Sequence, residues 1–418
     1  MAAFHSCFDC FHRHILLSID TKLTKKIYIY LLQNKMNKEK HKVSTGKSIS
    51  KRKKSKVIGE GGFGCVLNPN VTCKLRNGSI LHPNYKLITK LMEKEDLDKE
   101  YNEIQHIMAK IKSIPNYKSY FVIDIHQCKP NNLTEHDLNV IYKGCKYFKD
   151  MSASEINQRT NSLVMEYAGK RTDKYIQQNM HSKKHIMLLH QKLYALTAKG
   201  IKPLNQRNVF HCDIKLQNIL YHRKKVRLID WGFTYIHKTD DIIEIPPNFQ
   251  RYPLHFNMPI TVCLFGKSML HDINFYISDK LNRKIPINFD EFGKYVWNLV
   301  LEKRYGHYSL LQTIYVFLKP VEFSKSFDEF AVDIYSKVLQ KYTSKETKQF
   351  HSVYYFQDFY LNNVDIIGIT SCYISFMRMI QNRNAETLDI LWRYFANYYF
   401  ERINIDDFIF DIKQYISL

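Results

Sequence analysis

The chain has 418 residues, of which 45% are hydrophobic and 24% charged, with 14 Gly and 11 Pro. That balance suits two or three packed units with cores of their own and excludes a wholly disordered or collagen-like chain. The longest apolar runs fall short of the ~18 residues a membrane-spanning helix needs, so a soluble protein with no transmembrane segment is expected.

Lys plus Arg (62) exceeds Asp plus Glu (40), a net charge of +22, and residues 1–56 alone carry 14 basic against 3 acidic side chains. A basic N-terminal extension over residues 1–55 is expected, ending in Lys51-Arg52-Lys53-Lys54. Such an arm is suited to nucleic acid, an anionic surface or an acidic partner, and equally to a solvated terminus, because the attraction is to charge rather than identity. The nine cysteines are odd in number and scattered, which with no cleavable signal peptide points to a reducing, intracellular compartment. Cys7 and Cys10 with His12 and His14 resemble zinc ligands, but the His spacing is wrong for a finger and no second Cys pair lies nearby.

Residues 15–35 read as a surface helix and Lys38–Lys56 as a linker. From Val57 short β-branched and aromatic runs alternate with Gly, Asn and Pro, predicting strands at Val57-Ile58, Cys65–Leu67, Tyr85–Ile88 and Leu163–Tyr167. Between the last two, Leu97, Ile104, Ile107, Met108 and Ile111 recur at helical spacing and predict one helix over Asp96–Lys112. After Gly169 helices dominate, with Ile186–Leu204, Phe289–Leu301, Phe327–Tyr342 and Cys372–Tyr399 as the expected spans. The many Tyr and Phe rings of this part can fill a helical core.

Three motifs carry chemistry. Gly59-Glu60-Gly61-Gly62-Phe63-Gly64-Cys65-Val66 fits G-x-G-x-x-G-x-V, in which glycines let backbone N–H groups approach phosphate oxygens. A plain tight hairpin explains it about as well, and a dinucleotide site is the rival where a helix follows. Here another strand signal follows, so a hairpin folded over a nucleotide is expected. In His211-Cys212-Asp213-Ile214-Lys215-Leu216-Gln217-Asn218 a carboxylate, a lysine and an amide can converge on a phosphoryl group. Asp213 would orient and deprotonate an attacking hydroxyl, Lys215 would neutralise the transferred phosphate, and Asn218 would hold a metal. The bland alternative is a polar surface loop. Asp230-Trp231-Gly232 follows the strand-like Val226–Ile229 and delivers a carboxylate into a glycine-permitted turn, where Asp230 with Asn218 completes a protein share for Mg²⁺. A buried Asp capping a turn is the structural alternative. Only 17 residues separate Asp213 from Asp230, which fits one β-hairpin joining two loops at a single cleft.

In this order and spacing the motifs resemble the eukaryotic-type serine/threonine protein kinases, over roughly residues 56–260. The wording Gly-Phe-Gly-Cys-Val, Ile-Thr-Lys-Leu-Met and Val-Phe-His-Cys-Asp-Ile-Lys looks similar to the divergent kinases of large nucleocytoplasmic DNA viruses. For a viral chain that would mean host cytoplasm or packaging in the virion. The resemblance implies an α+β, bilobal fold: a small β-rich N-lobe with one main helix over 56–166, and a larger, mostly helical C-lobe over 167–418. It also implies ATP and Mg²⁺ as cofactors and a protein substrate.

Further roles come only from the resemblance. Ile58, Gly59, Gly61, Gly62, Gly64 and Val66 would cover the nucleotide. Lys90, in Leu87-Ile88-Thr89-Lys90-Leu91, would grip the α- and β-phosphates, with Lys74 and Lys86 as rivals. Glu103 would hold that lysine from the helix, with Glu100 as the alternative. Met165, Glu166 and Tyr167 would form the hinge, Met165 facing the pocket and backbone groups meeting the adenine. Three departures stand out: Cys212 where many kinases carry Arg, Trp231 in place of Phe, and Ile245-Pro246-Pro247 with Arg251–Phe256 where A-P-E is expected. The expected activity is phosphoryl transfer to Ser or Thr, Lys215 favouring that class over tyrosine kinases. A small-molecule kinase of related fold and a pseudokinase scaffold are the competing readings.

Overall fold

The computed structural model describes residues 55–61, 64–131, 133–237, 244–397 and 401–415. The basic segment 1–54 with its expected helix, the Cys7 and Cys10 cluster, most of the expected linker, and Gly62 lie outside the described residues.

Seven antiparallel strands form the first layer: β1 (Lys56–Gly61), β2 (Gly64–Asn68), β3 (Cys73–Leu75), β4 (Ile80–Leu81), β5 (Leu87–Glu93), β6 (Ile125–Pro130) and β7 (Thr160–Glu166). Their order in the sheet is β1-β2-β5-β7-β6-β3-β4. The strand expected at Tyr85–Ile88 instead begins at Leu87. Residues 84–87 form a turn in which the Asn84 side chain accepts from Lys86 N–H at 2.9 Å and the Leu87 N–H donates to Asn84 O at 3.0 Å. Gly64 adopts φ +149°, and a Cβ there would lie 2.0 Å from Leu91 O on β5, so the close approach of β2 requires glycine.

Helix α1 (Lys94–Ile111) lays Leu97, Ile104, Ile107 and Ile111 against one face of the sheet. The other face is covered too, by α2 (Glu135–Gly144) and α3 (Ala153–Arg159), whose Ile141 and Ile156 pack with Cys65, Leu67, Leu91 and Phe148. Both helices start in capping boxes, Thr134 with Asp137 and Ser152 with Glu155, which satisfy orphan N–H donors reciprocally. Burial on both faces is why Ile88-Thr89 and Leu91-Met92 of β5 and Ser162–Val164 of β7 are buried in consecutive runs rather than at alternate positions. Cys73 and Cys128 form a disulfide between β3 and β6, against the reduced cysteines expected from their scattered, odd-numbered distribution, because the pairing of the two strands brings them together across 55 residues of chain.

The remainder is mostly helical. It contains α4 (Thr172–Asn179), α5 (Lys183–Leu196), which runs through a π-turn into α6 (Lys202–Asn205), then α7 (Lys267–Asn282), α8 (Phe289–Lys303), α9 (Tyr308–Leu318), α10 (Phe327–Tyr342), α11 (Ser352–Tyr355), α12 (Leu361–Met379), α13 (Ala385–Asn397) and α14 (Ile405–Tyr415). The spans expected at Phe289 and Phe327 start where predicted. The one expected over Cys372–Tyr399 is two helices, because Gln381 turns left-handed (φ 56°) and the Asn384 side chain caps the second by accepting from Thr387 N–H at 2.8 Å. The β-rich layer with one long helix and the helical mass below it make the bilobal α+β fold that the resemblance implies.

Among the described residues no helix is long and apolar enough to cross a membrane.

Candidate active site

Two short segments bring the motif residues together. Strands β8 (Ile219–His222) and β9 (Lys225–Leu228) form a hairpin through Arg223 and Lys224, both at positive φ. Its register opposes Ile219 to Leu228, and beyond that pair Ile229 N–H donates to Asn218 O at 2.9 Å. Asp230 therefore begins where the Asn218 loop ends, as the 17-residue separation required.

Asp213 is 2% exposed and is the most heavily bonded acid of the site. Lys215 Nζ approaches both its oxygens, at 2.9 and 2.8 Å, Asn218 Nδ2 donates to Oδ2 at 2.9 Å, and Asn257 Nδ2 donates to Oδ1 at 3.0 Å. Charge-assisted bonds of this kind fix the carboxylate's orientation. Asn218 Nδ2 also donates to Asp213 O at 2.9 Å, so the amide's donors face Asp213 and its Oδ1 is the atom left for a cation. Asp230 stands exposed at φ 67°, and among the described residues it makes no ion pair. An amide oxygen beside a free carboxylate is the hard-oxygen chemistry that Mg²⁺ accepts. Left-handed non-glycine residues cost roughly 1–3 kcal/mol each, and Cys212 (φ 61°) and Asp230 place two of them on either side of the site.

What holds Cys212 in that conformation is Asp365 on α12. Its carboxylate accepts from His211 N–H at 2.9 Å, Cys212 N–H at 2.8 Å and Asn205 Nδ2 at 2.7 Å, and it is 1% exposed. Gly368, one turn on, lets α12 meet the loop: a Cβ there would lie 2.7 Å from Ile214 Cβ. His211 donates from Nε2 to Ile229 O at 3.0 Å while Nδ1 accepts from Asp213 N–H at 3.3 Å, so this buried ring ties the two motifs together. Trp231 fills the Phe position with its indole N–H satisfied by Val122 O at 3.0 Å and its ring edge-on to Phe121 and His211.

On the sheet, Lys90 pairs in register with Val66, and Gly59 also pairs with Val66, so the lysine lies beneath the glycine hairpin closed by Gly61 and Gly64. Ile58 sits at the irregularity of β1 and is exposed. Of the two rival lysines, Lys86 is in the turn before β5, and Lys74 is on β3, three strands further along the sheet.

The expected pairing with Glu103 is not what the structure has: Lys90 Nζ meets both oxygens of Glu100 at 2.6 Å, and Glu103 is exposed. Helix geometry explains the correction. Glu100 falls within the arc occupied by Leu97, Ile104, Ile107 and Ile111, whereas Glu103 is rotated off it.

At the expected hinge, Met165 is half-buried between Ile88 and Ile125. The Tyr167 N–H already donates to Lys86 O at 2.8 Å, so this backbone donor is engaged within the protein. Glu166 accepts from the buried Arg227 of β9 at 2.7 Å, which holds its carboxyl below the usual range and links β7 to the motif hairpin.

The segment after the third motif supplies further residues that sequence reasoning missed. Besides Asn257, Tyr252 lies near both acids, and burial together with the charges of Asp213 and Asp230 pushes its hydroxyl pKa upward. His255 is pushed down to about 4, first by burial, then by His307 and Lys215. In place of an A-P-E carboxylate, Arg304 holds this segment by donating to the carbonyls of Gln250 and Arg251 at 3.4 and 3.1 Å.

A buried acid cradled by a lysine and two amides thus lies next to an exposed acid at the end of one hairpin. Residues 52–243 match the family model of the protein kinase domain, and with this fold they make that part of the chain protein-kinase-like. No curated protein matches the chain.

Proposed function

We propose that the protein transfers the γ-phosphoryl group of ATP to Ser or Thr hydroxyls of a protein substrate. The observation that carries this reading is the Asp213 cradle, with Lys215, Asn218 and Asn257 converging on one buried carboxylate. In this reading Asp213 accepts the proton of the attacking hydroxyl, and Lys215, already at hydrogen-bond distance, screens negative charge on the migrating group. Lys90, braced by Glu100, grips the nucleotide phosphates under Gly59, Gly61, Gly62 and Gly64, with Ile58 and Val66 beside the base. Met165, Glu166 and Tyr167 border that same cleft. Asn218 Oδ1 and Asp230 would hold Mg²⁺, whose contribution when bound is to neutralise phosphate charge and align the leaving oxygen. The preference for Ser and Thr rests on Lys215.

The test is transfer of labelled phosphate from ATP to a Ser-rich basic protein, beside aminoglycoside and choline-like alcohols. Transfer to the protein alone is expected. Asp230→Asn should abolish it with the thermal midpoint unchanged, and Asp213→Asn should keep nucleotide binding while losing turnover. Transfer only to small alcohols, or full activity in Asp230→Asn, overturns the reading. For the basic segment 1–54 the same reading proposes an anionic partner, checked by the salt dependence of DNA or RNA binding by the full chain.

A further inference from the structure

The hairpin β3–β4 carries the sheet past β6 and, with the start of α1, encloses an open hollow of about 370 Å³. Four cations line it, Lys74 and Arg76 from the hairpin, Lys129 from β6 and Lys94 from α1, against one carboxylate, Asp98. Lys74 and Lys129 are directly opposed in the antiparallel register, and like charges facing each other there weaken the pairing. The disulfide fixes this arrangement, because Cys73 and Cys128 immediately precede the two lysines in the chain. Among the described residues Lys74, Lys94 and Lys129 form no ion pair.

The remaining charges are arranged differently. Arg76 lies 5.0 Å over the Tyr101 ring and donates to Gln127 Oε1, while Gln127 Nε2 donates to Asp98 Oδ1. Gln127 is 9% exposed, so its amide is held in place and fixes Arg76 on one side and Asp98 on the other. Asp98 is thus engaged by Gln127, and three lysines from three separate elements line the same hollow with no ion-pair partner among the described residues. A dianion with several acceptor oxygens satisfies such a set better than a single carboxylate does.

We propose that this hollow is a binding site for a phosphoryl group carried on a peptide. A peptide fits better than a nucleic acid because the cations share a single hollow instead of tracking a stripe, and Asp98 would repel a second phosphate. Leu75, in the same lining, offers apolar contact to a side chain next to the phosphorylated residue.

The test is fluorescence anisotropy on the full chain with saturating ADP, so that neither phosphoryl transfer nor the nucleotide cleft enters the reading. The probe is fluorescein-labelled Ala-Leu-phosphoserine-Leu-Ala, beside its unphosphorylated form and an oligothymidylate competitor. The phosphopeptide is expected to bind roughly tenfold or more tightly than the Ser form. Lys74→Ala/Lys129→Ala should remove that difference while its thermal midpoint in phosphate-free buffer stays level or rises, since a repulsion has gone. Equal binding of the two peptides, unchanged binding by the double variant, or displacement of the phosphopeptide by oligothymidylate at equal charge would each overturn the proposal. Should the double variant lack a thermal transition, Lys94→Ala decides by the same criteria.

Discussion

Asp365 is the residue whose replacement tests the architecture of the site most directly. It is buried on α12 and accepts three hydrogen bonds, two from the backbone of the Asp213 loop and one from Asn205. Asp365→Ala would leave three buried donors unpaired at about 1–3 kcal/mol each. Because such penalties are not additive, the expected loss is about 3–5 kcal/mol. That is a large part of the ~5–15 kcal/mol that holds an ordinary domain together, so this variant should fold poorly.

Asp365→Asn is the sharper probe. Its shape is kept, but one accepting oxygen becomes an NH₂ facing a donor, which should cost about 2 kcal/mol and release either His211 or Cys212. Cys212 stays left-handed only while its N–H is held, so its release moves Asp213, and a misplacement of ~1 Å at a reacting group can cost ~100-fold in rate. Thermal unfolding followed by far-UV circular dichroism reads the first effect, and phosphoryl transfer at saturating ATP reads the second. A variant with native midpoint and native turnover would refute the claim that α12 sets the loop.

Three other outcomes follow from the geometry. Glu100→Gln should lower phosphoryl transfer about tenfold by loosening the partly buried pair with Lys90, whereas Glu103→Gln should be nearly neutral; equal losses would return the role to Glu103. Gly64→Ala must push a Cβ against Leu91 O at positive φ, so the unfolding midpoint should fall by the equivalent of about 1–3 kcal/mol, and an unchanged midpoint would show that β2 sits further from β5. Burial lowers His190, and burial with His307 and Lys215 lowers His255, each to about 4. Their folded forms stay neutral where unfolded rings, near ~6.5, take a proton. The stability they confer is therefore full above ~6.5 and lost as pH falls towards about 4, by at most about 3 kcal/mol per ring. Unfolding midpoints between pH 7 and 4.5 should fall less steeply in His190→Leu than in the native chain.

What the sequence disclosed of this site is what lies close along the chain. Asp213, Lys215 and Asn218 share one loop, and Asp230 is one hairpin away, so their convergence could be read from spacing. Asn257 and Asp365 are 44 and 153 residues from the groups they hold, and only packing brings them there. A signal for Asp365 existed nonetheless: a carboxylate inside Leu361–Met379, a helix apolar on nearly every face, needs buried donors to meet it. Glu100 could have been preferred over Glu103 from the helix's own apolar arc. The β3–β4 hairpin was likewise announced by Asn77-Gly78, where Gly78 turns at φ 84°, and α2 and α3 by their capping boxes. Tyr85 has strand-like character, yet β5 starts only at Leu87, because the Asn84 side chain commits the preceding residues to a turn.

The contacts from Asn257 and Asp365 also decide how little of this chain could be cut away. A fragment ending near residue 243 would keep every motif and lose the two side chains that hold Asp213 and its loop from outside. Any shortened version meant to work would have to run past α12, carrying the intervening helices α7 to α11 as scaffolding.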